Sequence, residues 1–283
     1  MCRLESLGKR PFALAATHQK CGKNYKPVRS AVMQSDRVDL NADAGEGLGQ
    51  DPALFRIVTS ASIACGFHAG DPGTMRTAVA LAREHGVAIG AHPSFPDLSG
   101  FGRREMVLTP GEVEECVTYQ VGALADIAAG QGVRLQHVKP HGALYNMASR
   151  DPELADAIAR AVAAFDPALV LFGLSGSRLL EAGTRAGLRT ASEVFADRAY
   201  RRDGTLVPRT HAGAVVHDSA VVVPRAVAMV REQAVTADDG TRVALRVDTI
   251  CVHGDTPAAA DLAARLRQAL GESGIQVASL SSS

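Results

Sequence analysis

The chain has 283 residues, 46% of them hydrophobic, with 30 basic against 30 acidic side chains. That balance leaves no electrostatic footprint for nucleic acid or a membrane surface, and 4% aromatic content without tryptophan offers few platforms for stacked bases. The ligand expected is small, and the length suffices for one large core or two small ones.

Residues 1–35 carry seven Lys or Arg against one Glu and show no sustained periodicity. They are expected to form a disordered basic extension, with Met33 as an alternative start just ahead of the first strand-like run. The apolar piece PFALAA is shorter than a secretory signal core, and no apolar run reaches the roughly 18 residues of a membrane span.

From residue 36 to 283 a single domain is expected, because short β-branched runs alternate with Ala-rich helical patterns, the signature of parallel strands with crossover helices. The strand candidates are RVDLNA (37–42), SASIACG (60–66), VAIGAHP (87–93), VRLQHVKP (133–140), ALVLFGLS (168–175), RTASEVFAD (189–197) and DTICVHGD (248–255). Between them, Asp71-Pro72 opens one helix, Thr109 opens another that Gly130 closes, and Asp151-Pro152 opens a third. SGSRLLEAGTRAG, SAVVVPRAVAMVREQAV and TPAAADLAARLRQALG supply the rest, with Pro224 expected to delay or bend the fifth. DDGTRVALRVD suggests a short extra hairpin.

Such a pattern suits an open doubly wound sheet or a closed (β/α) barrel, and side-chain parity separates them. In the first strand Asp39, Asn41 and Asp43 share one face and Val38 and Leu40 the other. The second sets Ser62, Ala64, Gly66 and His68 against Ile63, Cys65 and Phe67, and the third sets Ala88, Gly90 and His92 against Val87 and Ile89. An open sheet is covered by helices on both faces and would be apolar on both. One small or polar face against one branched apolar face favours a barrel of seven strands, although Leu135 breaks the rule on the fourth.

A barrel also gives a use to HVKPHGALYN, where His137, Lys139 and His141 fall on alternate positions. If the chain stays extended to His141, three basic heads point to the interior, where unpartnered polar groups would cost roughly 2–7 kcal/mol each. Strand ends carry Asp43, His68, His92, Lys139, His141, Asp197, His253 and Asp255, and in this architecture the loops at those ends build sites. The carboxylates and basic groups are therefore expected to meet across one mouth. His18, His85, His211 and His217 stay outside that set. The cysteines Cys2, Cys21, Cys65, Cys116 and Cys251 are widely spaced, with no C-x-x-C pair, which points to a reducing cytoplasm.

The strings VDLNADAGEG, SIACGFHAGDP, IGAHPSFPDLSGFGRR, HVKPHGALYN, EVFADRAYRRDGTLVPR and ICVHGDTP, running in order from about residue 37 to the C-terminal region, resemble the signature blocks of the LamB/YcsF family. The resemblance implies a distorted seven-stranded (β/α) barrel similar to the polysaccharide deacetylase fold. It also implies a part in the ATP-dependent opening of 5-oxo-L-proline to L-glutamate, alongside separate B and C subunits.

For that chemistry Asp43 or Glu46 is the expected general base, His68 or His92 the proton shuttle, and Lys139 beside His141 the clamp for a carboxylate or oxyanion. Alanine at Lys139 is then expected to abolish turnover and leave the fold intact. Arg103 and Arg104 suit a phosphate or carboxylate and equally suit surface ion pairs. Glu193 and Asp197 are expected to face inward and Arg198 to sit at the rim of a long loop that acts as a lid or subunit contact; His253 and Asp255 complete the substrate-binding set. No G-x-x-x-x-G-K-[ST] occurs and GEGLGQ lacks the dinucleotide spacing, so ATP, the co-substrate, is assigned to the partner subunits. A divalent metal is the mechanistic alternative, with Asp43, His68, His92, His141, His253 and Asp255 as candidate ligands. Two other functions remain open on the residues alone: a metal-dependent amide or sugar deacetylase, and a non-catalytic binding or regulatory subunit.

Overall fold

In the computed structural model, residues 37–252 and 258–280 are described; the basic extension, His253 and Asp255 lie outside them. Strand β1 (Arg37–Ala44) is buried along its length after Arg37 and pairs in parallel with β2 (Ser60–Ala64) on one side. The order continues through β3 (Ala88–His92), β4 (His137–Val138), β5 (Val170–Leu174) and β6 (Arg189–Phe195). A hairpin of β7 (Ala234–Thr236) and β8 (Arg242–Ala244) precedes β9 (Thr249–Val252). That last strand pairs with both β6 and β1, which closes a barrel of seven parallel strands. A short β10 (Gln276–Val277) lies beside the start of β1.

All seven expected strands are present, and the polar parity does mark the interior. The branched apolar face points outward into the main core, which includes Val38, Leu40, Ile63, Ile89, Val138, Leu171, Val194 and Ile250. Covering that face are α2 (Pro72–His85), α3 (Pro110–Ala129), α5 (Pro152–Phe165), α6 (Arg178–Arg185), α7 (Ser219–Glu232) and α8 (Ala259–Glu272); α1 (Asp51–Leu54) and α4 (Gly142–Ala148) are short. Their starts follow the local chemistry: Asp71 accepts from the Thr74 amide at 2.8 Å, Thr109 and Glu112 cap each other reciprocally, and Asp151 accepts from Glu153. Pro224 does not delay α7, which begins at Ser219 and carries the proline internally.

The interior is layered. At the N-terminal end Val170, Phe172 and Ala191 form a small apolar plug with Leu280 against it. The His137 ring stacks on Phe172 at 4.2 Å and meets Ser62 Oγ through Nε2 at 3.0 Å. Gly90 on the neighbouring strand makes this possible, since a Cβ there would collide with that imidazole. Beside it Asp39 accepts from the hydroxyls of Thr59 (2.6 Å), Ser60 (2.7 Å) and Thr249 (2.6 Å). These polar groups of the lower layer thus find partners within the barrel, so the chemistry is left to the upper end.

Candidate active site

The chain stays extended beyond the two formal residues of β4, with Lys139 donating its amide to Ala91 and His141 to Pro93 along β3. His141 has extended dihedrals, φ −100° and ψ 149°, before α4 begins. His137, Lys139 and His141 therefore enter the interior at three depths: the first meets Ser62, the second a group of acids, the third the mouth.

Lys139 is fully enclosed. Its Nζ lies 2.6 Å from Asp43 Oδ1, 3.1 Å from Glu193 Oε1, 2.8 Å from Asn41 Oδ1 and 3.3 Å from Cys251 Sγ. Burial alone would lower its pKa, but Asp43 is the strongest of the charges that override it, with Cys251 and Glu193 behind, so the ammonium is held well above its ordinary range. Glu193 also accepts from Asn41 Nδ2 at 3.0 Å. The three N–H donors of the lysine are all occupied within the protein.

Above this lies a histidine cluster. His92 approaches Asp43 Oδ1 through Nε2 at 3.4 Å and meets His141 Nδ1 at 3.0 Å. Glu46 Oε1 lies 3.3 Å from His68 Nε2 and 3.5 Å from His141 Nδ1, and the His68 ring lies flat on that of His141 at 3.8 Å. One donor atom from each of Glu46, His68, His92 and His141 falls within 4.8 Å of every other, the arrangement that could hold a metal ion. Gly102, at φ +64°, brings the Phe101 carbonyl onto His141; a Cβ on it would stand 2.8 Å from His68 Cβ and 2.9 Å from His141 Cδ2.

Asp43, Glu46, His92, Lys139, His141 and Glu193 border a cavity of about 440 Å³. Cationic side chains border the same cavity, among them Arg103, Arg198, Arg201 and Arg209. The last three come from the long loop after β6, residues 196–218, which folds across the mouth through bridges of Arg198 with Val215 and Tyr200 with Leu206. Buried Arg198 is fixed by the carbonyls of Val207 (2.6 Å) and Ala214 (3.2 Å), and burial brings its pKa down to about 10.

The family profile matches residues 38–283. The chain belongs to the LamB/YcsF family. It is 53% identical over 251 residues to the 5-oxoprolinase A subunit of Bacillus licheniformis, covering 87% of this chain and 99% of that one. The crystal structure of a lactam utilization protein from Thermus thermophilus aligns at 51% identity and a TM-score of 0.80, over 86% of this chain and 99% of that chain. A family 4 carbohydrate esterase from Streptomyces lividans is far more distant, at 12% identity and a TM-score of 0.42, with 87% and 93% of the two chains covered.

In this LamB/YcsF chain, Asp43, Glu46, His92, Lys139, His141, Glu193, Arg103 and Arg198 all border the cavity, with His68 packed behind them against His141. Arg104 does not join them: it turns away to form an ion pair with Asp97 and a hydrogen bond with Ser99. Asp197 is buried and is not part of the cavity wall. Sequence reasoning missed Tyr145, which borders the cavity, and Cys251, which touches Lys139. Cys251 was accessible through parity with Thr249, and Tyr145 through its place one helical turn beyond His141.

Burial, with neighbouring positive charge, pushes both His137 and His141 from 6.5 down to about 3. The folded chain keeps these rings neutral while the unfolded chain takes up protons below about pH 6.5, so the unfolded state binds more protons as the pH drops. Their contribution is intact above pH 6.5 and is lost progressively toward pH 3. Denaturant titrations at stepped pH should therefore show stability falling through that window; a flat profile would refute the assignment.

Proposed function

We propose that this chain is the A subunit of an ATP-dependent 5-oxoprolinase and that its barrel mouth carries the hydrolytic part of the reaction. The observation that carries this reading is the pairing of Asp43 with buried Lys139 in a cavity that arginines also border. The near full-length likeness to chains named as A subunits of 5-oxoprolinase supplies the substrate class.

The lactam resists water because amide resonance protects its carbonyl carbon. Transfer of the ATP γ-phosphoryl group to the amide oxygen removes that protection. Water then adds to the ring carbon, the C–N bond breaks to release the amine, and a second water displaces phosphate from the resulting acyl phosphate. The sum is 5-oxoproline, ATP and two waters giving glutamate, ADP and phosphate. Asp43, kept as a carboxylate by Lys139, takes the proton from the attacking water. His92, whose Nε2 lies 3.4 Å from Asp43, is placed to relay that proton, the shuttle role expected of His68 or His92. Since Lys139 has no free donor, the clamp expected of it passes to Arg103 and Arg198, which border the cavity and would take the carboxylate and phosphoryl group of the substrate.

The sequence carries no G-x-x-x-x-G-K-[ST] motif, and we assign phosphoryl transfer to the B and C subunits. The described thiols Cys65, Cys116 and Cys251 are free, in keeping with a cytoplasmic site of action, and no helix among the described residues is long and apolar enough to cross a membrane. Co-expression with candidate B and C subunits should give glutamate from 5-oxoproline only when ATP and all three chains are present. Full activity from B and C alone would remove this chain from the reaction, and acetate release from an acetylated sugar by the isolated chain would replace the proposal with a deacetylase.

A further inference from the structure

The tautomers of the histidine cluster are fixed from outside it. His92 Nδ1 lies 2.6 Å from the Lys139 carbonyl and His141 Nε2 lies 2.9 Å from the Phe101 carbonyl. A carbonyl only accepts, so each of these nitrogens carries the hydrogen, and in the neutral rings the other nitrogens, His92 Nε2 and His141 Nδ1, present lone pairs. Those two nitrogens face each other across 3.0 Å. Two lone pairs at that separation repel unless something positive lies beside both, and the Glu46 carboxylate, 3.5 Å from His141 Nδ1, adds a third acceptor to the same space.

We propose that Glu46, His68, His92 and His141 bind one divalent transition-metal ion of the zinc type. Three imidazoles and one carboxylate are the donor set that borderline ions prefer over magnesium or calcium. Histidine ligands in such centres donate their outer N–H to a carbonyl or carboxylate, which is the arrangement of His92 and His141 here. Tetrahedral bonds of about 2.0–2.1 Å place neighbouring donors about 3.3 Å apart. The separations of 3.0, 3.3 and 3.5 Å within the quartet straddle that value. His68 is the exception, since its ring lies flat on His141 and must tilt out of the stack to direct a lone pair at the shared ion. Glu46, His92 and His141 are thus the preset ligands and His68 the adjustable one.

The proposal deepens the hydrolytic reading of the mouth, where an ion held by the three preset ligands, with His68 left in its stack, would keep a fourth position for a water of lowered pKa beside Asp43. Its test needs neither substrate nor partners. The full chain, stripped with chelator, is titrated with Zn²⁺ by calorimetry and with Co²⁺ by visible absorption, with elemental analysis for stoichiometry. One ion per chain is expected, with affinity lowered at least about 100-fold in His92→Ala and His141→Ala and unchanged when the exposed pair His211 and His217 is replaced by alanine. Glu46→Gln, close to isosteric, tests the site without opening the core, and a metal-induced rise in melting temperature should disappear in it. No uptake by the wild-type chain would overturn the proposal and leave a shared proton between the rings. Equal uptake by folded His92→Ala, His141→Ala or Glu46→Gln would overturn it as well. Metal binding without glutamate formation in the reconstituted assembly would sink the 5-oxoprolinase reading alone.

Discussion

Replacing Asp43 with asparagine is expected to cut glutamate formation by the assembled enzyme by about 10² to 10⁴, the usual worth of a positioned base. Asparagine keeps the shape of the side chain and an oxygen for Lys139, while its amide cannot accept a proton from water. Glu193 remains 3.1 Å from the ammonium, so the lysine keeps one carboxylate partner and the barrel should stay folded. The loss should therefore appear in kcat, with little change in KM, because Arg103 and Arg198, to which substrate binding is proposed, come from other segments. Activity of Asp43→Asn within a few-fold of wild type, in a variant of normal stability, would show that the base lies elsewhere; Glu46 would be the next carboxylate to examine.

The barrel was legible because confinement imposes a rule that sequence can display. A closed sheet has one inner face too narrow for continuous branched packing, and Asp39-Asn41-Asp43, Ser60-Ser62 and Gly90-His92 announce it by alternation. The insertion of β10 beside Arg37 was not legible, since it depends on strand stagger and no local pattern encodes it. The convergence of Asp43, His68, His92 and Lys139 followed from parity plus position at strand ends. What parity could not supply was the depth of each group. Lys139 reads as an exposed-capable cation at the end of a strand, yet two carboxylates and an amide wait below the mouth and enclose it.

Loops are where residue-level expectation failed. Arg103 and Arg104 are neighbours in GFGRR, and only the first borders the cavity. Asp97 accepts from the Gly100 amide at 3.0 Å and captures the Arg104 side chain, which pins the turn so that consecutive side chains diverge. That outcome depends on an acid seven positions back, outside any periodic pattern. The same limit hid Arg201 and Arg209, which reach the mouth because the loop after β6 doubles back through the Tyr200–Leu206 bridge.

Lys139→Ala is expected to damage the fold as well as the chemistry, against the expectation that it spares stability. Removing one partner of a buried ion pair leaves the other charges uncompensated and typically costs about 3–5 kcal/mol, a large share of the roughly 5–15 kcal/mol that holds a domain together. Here the deletion strands two carboxylates, Asp43 and Glu193, and opens a cavity where the four-carbon stem had packed. Two measurements separate the charge from the packing. Lys139→Met refills most of the volume, so its remaining loss in denaturant titrations reports the unpaired acids. Adding Glu193→Gln to Lys139→Met should then recover part of that loss, because one of the stranded charges is gone, and the double variant should be more stable than the single one. Recovery of stability must come without recovery of turnover, since Asp43 would still lack the ammonium that keeps it ionised. Wild-type stability in Lys139→Ala would mean that the acids find other partners without cost, and the role of the lysine as the charge that sets the state of Asp43 would fall with it.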